Sequence, residues 1–208
     1  MAMQRNPRFV RFLLPVVLIT AAALWWGNSS IETDTFTFSS ARLPNGFDGA
    51  RVVQLSDLHG KAFGKNNERL FAAVEAARPD YILITGDLVD RATDDPVGYA
   101  ASVGAALSAI APTCYVTGNH EWGHGPAMVE RLKAALRENG VTVLSNEVLP
   151  WERCGDTILL AGVDDPNGYA DQKTPVQLAA DIYAEYGDPF WLLLANRNNS
   201  FNGGYCRL

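Results

Sequence analysis

"VTGNHEW", Val116–Trp122, sets Asn119, His120 and Glu121 side by side after Gly118, directly behind a β-branched apolar run. A water-facing turn can follow a buried strand in this way, and so can a metal site. The rest of the chain decides between them. "SDLHG" (56–60) places Asp57 and His59 just past the short apolar run "RVVQL", and "TGDLVD" (85–90) places Asp87 and Asp90 just past "DYILI". Three polar clusters therefore stand in the same position, each behind a strand-like run.

Outward from these clusters the chain alternates strands with helices. "NNERLFAAVEAARP" (66–79) carries an Asn cap, puts Leu70, Phe71 and Val74 on one face and stops at Pro79. Helices are predicted at 96–110, 126–139 (closed by Gly140) and 175–186. Strands are predicted at 141–144, 147–152, 157–163 and 190–195, and the alternating "TFTFSS" (35–40) reads as a further half-buried strand. Strands interleaved with helices imply an α/β fold with a largely parallel sheet. In such sheets ligands bind beyond the carboxyl ends of the strands, where all three clusters fall.

Each cluster alone is weak, because an Asp behind a strand is usually a cap and Gly-Asp is usually a turn. Jointly they offer carboxylate, imidazole and amide donors, a set that suits Mn, Fe, Zn or Mg. In extended chain Asp57 and His59 would face the same way while Leu58 points to the core. Gly86 and Gly118 would let the chain turn sharply before Asp87 and Asn119. A carboxylate can bridge two cations, and Asp87, on the middle of the three strands, is best placed to do so.

D-x-H, then G-D-x-x-D, then G-N-H-[DE], each after a strand, resembles the calcineurin-like metallophosphoesterases, and the resemblance covers about residues 45–208. It implies a layered β-sandwich flanked by helices and hydrolysis of phosphate mono- or diesters on two divalent ions, Mn, Fe or Zn. Residue by residue, it implies that Asp57 and His59 bind the first ion, Asp87 bridges both and Asn119 binds the second. His120 would protonate the leaving oxygen or steady the phosphoryl charge. Asp90 and Glu121 would orient these groups, although a surface salt bridge is an almost equal reading of both. His124 matches no family position and reads as an exposed loop residue.

The chain departs from that pattern near its end. Where the family has a metal-binding His behind a later strand, this sequence reads Ala195-Asn196-Arg197, so Asn196 is the candidate ligand there. The expected G-H-x-H pair is missing, and the chain has three histidines in all. The favoured expectation is a family member incomplete at the C-terminus. The alternative is a natural short protein that has lost catalysis and kept a binding role.

Net charge is −6, which speaks against nucleic acid as the partner. Of three cysteines, Cys114 and Cys154 read as core thiols beside apolar strands. Arg5, Arg8 and Arg11 precede the uncharged "FLLPVVLITAAALWW" (12–26), which predicts an N-terminal membrane anchor or signal segment over 1–31, with the domain on the extracytoplasmic side. Residues 32–50 read as linker and first strand, and 51–208 as a partial phosphoesterase domain. Tethering would suggest a phosphoester substrate that is lipid-linked or part of the envelope.

Overall fold

The computed structural model describes residues 7–168 and 172–197. The chain divides into two units, Met1–Thr35 and Phe36–Leu208. The first holds one helix, α1 (Pro7–Ser29), with Pro15 inside it. Among the described residues no helix is long and apolar enough to cross a membrane. The predicted span is thus not met. The strongly apolar run from Phe12 to Trp26 is only about 22 Å of helix at 1.5 Å per residue, against roughly 30 Å of hydrocarbon. Val16, Leu18, Ile19 and Trp26 are exposed.

In the second unit, β1 (Val52–Leu55), β2 (Tyr81–Thr85), β3 (Thr113–Val116) and β4 (Val141–Val143) form a parallel sheet in the order β1-β2-β3-β4. Between them lie α2 (Glu68–Ala77), α3 (Pro96–Ser108), the single turn α4 (Asn119–Trp122) and α5 (Pro126–Glu138). A second sheet joins β5 (Glu147–Arg153) to β6 (Asp156–Gly162) antiparallel, and β6 to β7 (Trp191–Leu194) parallel, with α6 (Pro175–Tyr186) connecting the last pair.

The alternation of side chains along each strand builds two cores. Tyr81, Leu83, Cys114 and Val116 of the first sheet meet Trp151, Ile158, Leu160 and Leu194 of the second. On the other face of the second sheet, Leu159 and Ala161 pack with Leu178 and Ile182 of α6. Because both faces of β2 are covered, all five of its residues are buried, as in a central parallel strand. The result is the layered α/β sandwich expected.

Four local expectations fail. "TFTFSS" forms no strand: Phe36 and Phe38 are exposed, and Phe38 merely touches the Phe190 ring at 6.2 Å. Alternation is not enough where no neighbouring strand accepts the backbone. Asn67 does not cap α2 with its side chain; it sits at φ +60 and its Oδ1 accepts from Phe63 N at 2.8 Å. Cys154 is exposed, at φ +51 in the β5–β6 turn, because the apolar run beside it belongs to the strands rather than to the turn. Asp57 and His59 are not extended, since their φ values are +56 and +50.

Candidate metal centre

The ends of β1, β2 and β3 deliver the three clusters to one edge of the parallel sheet. The loops there are held by backbone bonds: Asp57 N donates to Gly86 O, His59 N to Asp87 O and Gly60 N to Leu88 O. The left-handed turns at Asp57 and His59, with Asp87 also at φ +51, are uncommon for side-chain-bearing residues and concentrate at functional sites. They do the work that extended chain was expected to do. Leu58 still points inward and is buried.

The two glycines act by different means. Gly86 has φ +86, and a Cβ there would meet Gly118 N at 2.5 Å. Gly118 has an ordinary extended φ of −106. Its need is space, because a Cβ there would meet Asp87 Oδ1 at 2.2 Å. The sharp turn expected at Gly118 is therefore a close approach of two loops instead.

His59, Asp87 and His120 each bring one donor atom to within 4.8 Å of the other two. Two metal–ligand bonds of about 2 Å limit donors on one ion to roughly 4 Å apart, so small shifts would close this set on a cation. The His59 and His120 rings meet edge to face at 4.5 Å. His59 Nδ1 is buried without a hydrogen-bond partner, as a nitrogen kept for another ligand would be. Asp57 lies at the margin, its Oδ1 3.8 Å from His59 Nε2, and its other oxygen accepts from the Ser56 hydroxyl. Asn119 opens α4 one residue before His120. Asp87 is buried, and its Oδ1 accepts from His120 N at 2.9 Å. Burial raises its carboxyl above the usual range, against the lowering effect of that bond and of His120 itself.

Glu121 is no surface group. Its side chain is fully buried, and its two oxygens accept from Asp87 N, Leu88 N, Val89 N and Gly118 N at 2.6–3.2 Å. Burial lifts its carboxyl to about 6, against the pull of the Val89 and Gly118 amides. One side chain thereby ties the loop carrying Asp87 to the loop carrying His120. Asp90 Oδ2 stands 3.9 Å from His59 Nδ1, and Oδ1 accepts from Ala92 N and the Thr93 hydroxyl. Burial is the largest single influence on Asp90 and raises its carboxyl, but those two bonds and the nearby His59 and His120 together outweigh it and leave the carboxyl below the ordinary value.

Sequence reasoning missed several members of this region. The His124 ring nitrogen lies 2.8 Å from Asp90 O, and Arg91 Nε donates to Gly123 O at 3.1 Å, so the β2 and β3 loops are stitched twice more. His124 is part-buried rather than an exposed loop residue. Behind them, Lys133 of α5 pairs with Asp164 at 2.8 Å, both buried, and Asp164 also accepts from the Thr117 hydroxyl at 2.6 Å. Arg197 grips Asp165 with two bonds, at 2.5 and 3.0 Å. A Lys on a helix and an Asp-Asp pair after a strand carry no sequence signal for such pairing; His124, four residues past His120, carried a faint one. Asn196, the doubtful ligand, donates its amide to Thr85 O at 2.9 Å, tying the end of β7 to the end of β2.

This arrangement, with D-x-H, G-D-x-x-D and G-N-H-E behind three parallel strands, is that of a metal-dependent phosphoesterase. Residues 50–202 match the family described as calcineurin-like phosphoesterase, and the chain belongs to that family, whose members are hydrolases acting on phosphoric esters. It is 35% identical over 132 residues to "Transmembrane protein with metallophosphoesterase domain" of Danio rerio, covering 60% of this chain and 29% of that protein. It is 30% identical over 141 residues to "Uncharacterized metallophosphoesterase YkuE" of Bacillus subtilis (strain 168), covering 65% of this chain and 48% of that one. The chain thus spans half or less of the length of these relatives. Among solved structures, the phosphopantetheinyl hydrolase PptH of Mycobacterium tuberculosis aligns at TM-score 0.39 and 18% identity, over 67% of this chain and 52% of that one.

Proposed function

We propose that the domain hydrolyses phosphate mono- or diesters on two divalent cations held where β1, β2 and β3 end. The observation that carries this reading is the convergence of His59, Asp87 and His120 donors, with His59 Nδ1 buried and unpartnered. Imidazole and carboxylate together suit Mn, Fe or Zn. His59, Asp87 and His120 would hold one ion, with Asp57 joining from the margin. Asp87, Asn119 and Asn196 would serve the second. When bound, the pair of ions supplies an acidified water and neutralises phosphoryl charge.

The chain's own residues do the rest. Asp87 N, Leu88 N and Gly118 N fix Glu121, so the β2 and β3 loops keep one spacing. Asp90 Oδ2, 3.9 Å from His59 Nδ1, would steady the orientation of that ring by its charge and leave the nitrogen itself open. His120, beside His59, is the group positioned to give a proton to a departing alkoxide. Its place within coordinating distance of Asp87 makes a ligand role an equal reading of the same geometry.

A metal-binding domain without turnover is the second reading. It is favoured by Asn196, whose amide nitrogen is spent on Thr85 O where an imidazole would bind metal more strongly. The deciding experiment measures ions bound per chain and hydrolysis of bis(p-nitrophenyl) phosphate with excess Mn²⁺, for the natural chain and Asp87→Asn. Chelator-sensitive turnover lost in the variant supports hydrolysis. Bound ions without turnover support the second reading, and no bound ion defeats both.

Membrane attachment through residues 1–31, with the domain outside the cytoplasm and a lipid-linked phosphoester as substrate, belongs to the same proposal. It is supported by Arg5, Arg8 and Arg11 ahead of the apolar run and by the exposed apolar side chains of α1. The full chain should stay with alkali-washed membranes while a chain starting at Thr33 is released. Equal release of both would end this part.

A further inference from the structure

The cation set does not account for the cavity next to it. A cavity of about 630 Å³ opens between β1, which pairs only with β2, and β7, which pairs only with β6 among the described residues. Asp57 and Asn196 line it where it meets the metal centre. Away from that end its wall becomes apolar, with Leu193, Trp191 and Phe190 of the β7 segment, all half-buried. Such a volume lies within the range of about 300–1,000 Å³ that holds small organic ligands.

We propose that this cavity receives the organic arm of the phosphoester, and that the arm is large, apolar and uncharged. The inference rests on the hydrolytic reading above and adds the class of ester. Continuity decides the occupant. A group bonded to a phosphoryl held beside Asp57 and Asn196 would run along the β7 segment past Ala195, Leu193 and Trp191, which line the same cavity. Charge decides its character. The two arginines on the wall are already matched, Arg42 by Asp188 at 2.5 Å and Arg197 by Asp165 through two bonds. Among the described lining residues both positive charges are thus paired rather than left to draw in a polyanionic arm such as a nucleoside polyphosphate, whereas Pro189, Phe190, Trp191 and Leu193 offer an apolar stretch of wall. An aryl or long alkyl arm gains on the order of 25 cal/mol for each Å² it buries, so a naphthyl-sized group gains tenfold or more in affinity over bare phosphate.

The test measures dissociation constants by titration calorimetry on the full chain with Mn²⁺, using inorganic phosphate, 1-naphthyl phosphate and 1-naphthol. Two variants alter the cavity from opposite walls. Leu193→Asn makes the β7 wall polar, and Gln54→Phe, at an exposed position of β1 that lines the cavity, fills the space and gives up one amide bond to the Thr85 hydroxyl. Thermal melts of both establish folding. The expected result is 1-naphthyl phosphate binding at least tenfold tighter than phosphate, with the advantage falling to threefold or less in either folded variant. An advantage that is absent, or that persists in both variants, overturns the proposal. Binding of 1-naphthol that is lost in Gln54→Phe, with no binding of phosphate at any Mn²⁺ level, keeps the cavity assignment and defeats the hydrolytic reading. Binding of phosphate alone does the reverse, and no binding of any probe defeats both.

Discussion

Replacing Glu121 by Gln tests whether one buried carboxylate sets the spacing of the two ligand loops. Each Glu121 oxygen accepts two backbone N–H groups: Leu88 and Val89 on one, Asp87 and Gly118 on the other. An amide has a single acceptor oxygen, and its NH₂ offers no lone pair. Whichever way Gln lies, two buried N–H groups lose their acceptor and face a donor. Bonds to a charged acceptor are worth about 1.5–3 kcal/mol each, so the loss is about 3–6 kcal/mol. Gln also removes a charge whose burial lifts the acid from 4.5 to about 6, an offset of about 2 kcal/mol at neutral pH. The net expectation is a destabilisation of about 1–4 kcal/mol, read by urea unfolding of metal-free protein. Because the same bonds hold Asp87 and His120 in register, Mn²⁺ affinity should fall by about 10- to 100-fold. A variant within about 1 kcal/mol of the natural chain, with unchanged Mn²⁺ affinity, would refute the reasoning.

Four further outcomes follow from the same structure. Glu121 carries a raised folded value, so at that group the folded metal-free protein binds a proton more readily than the unfolded chain; its contribution to stability should fall by about 2 kcal/mol as pH rises from about 4.5 to about 6, the raised Asp87 acts in the same direction, and urea midpoints rising across that window would contradict it. Gly86→Ala combines φ +86 with a Cβ 2.5 Å from Gly118 N and should cost at least about 3 kcal/mol, whereas Gly49→Ala, at φ +68 with nothing within 4 Å, should cost only about 1–2 kcal/mol in thermal melts. Lys133→Met leaves Asp164 buried without its cation and should cost about 3 kcal/mol or more, with part recovered by adding Asp164→Asn; a cost under about 1 kcal/mol would show the pair to be idle. Asn196→His should raise the number of Mn²⁺ ions bound per chain in equilibrium dialysis, modestly because Thr85 O loses its present donor, and unchanged occupancy would remove Asn196 from the ligand set.

How much of this was legible in the sequence depended on the range of the interactions. Strand and helix positions from Arg51 to Ala195 were readable because apolar spacing is local: the continuous apolar runs at Tyr81–Thr85 and Thr113–Val116 marked buried strands, and the fold supplies a neighbour on each side of both. The donor types in the three clusters were readable too, since a strand end is also a place where a sheet binds ligands. "TFTFSS" shows the limit of the same reasoning, because a strand needs a partner that no local pattern supplies.

Tertiary structure decided what each polar residue does. Glu121 could have been a surface acid; only the approach of the β2 loop, permitted by glycine at 86 and 118, surrounds it with four amides. His124 became a brace because Asp90 O, 34 residues earlier, lies across from it. Lys133 and Asp164 met because α5 packs beside the end of β6. Asp57 and His59 reached the same edge through left-handed turns rather than extension, a choice made by the Gly86 and Asp87 carbonyls that receive their amides. The sequence alone determined which donors stand at the strand ends, because residue type and apolar spacing act over a few residues. Only the folded chain determined which of them share an ion and which hold the loops, because hydrogen bonds and burial act between segments far apart in sequence.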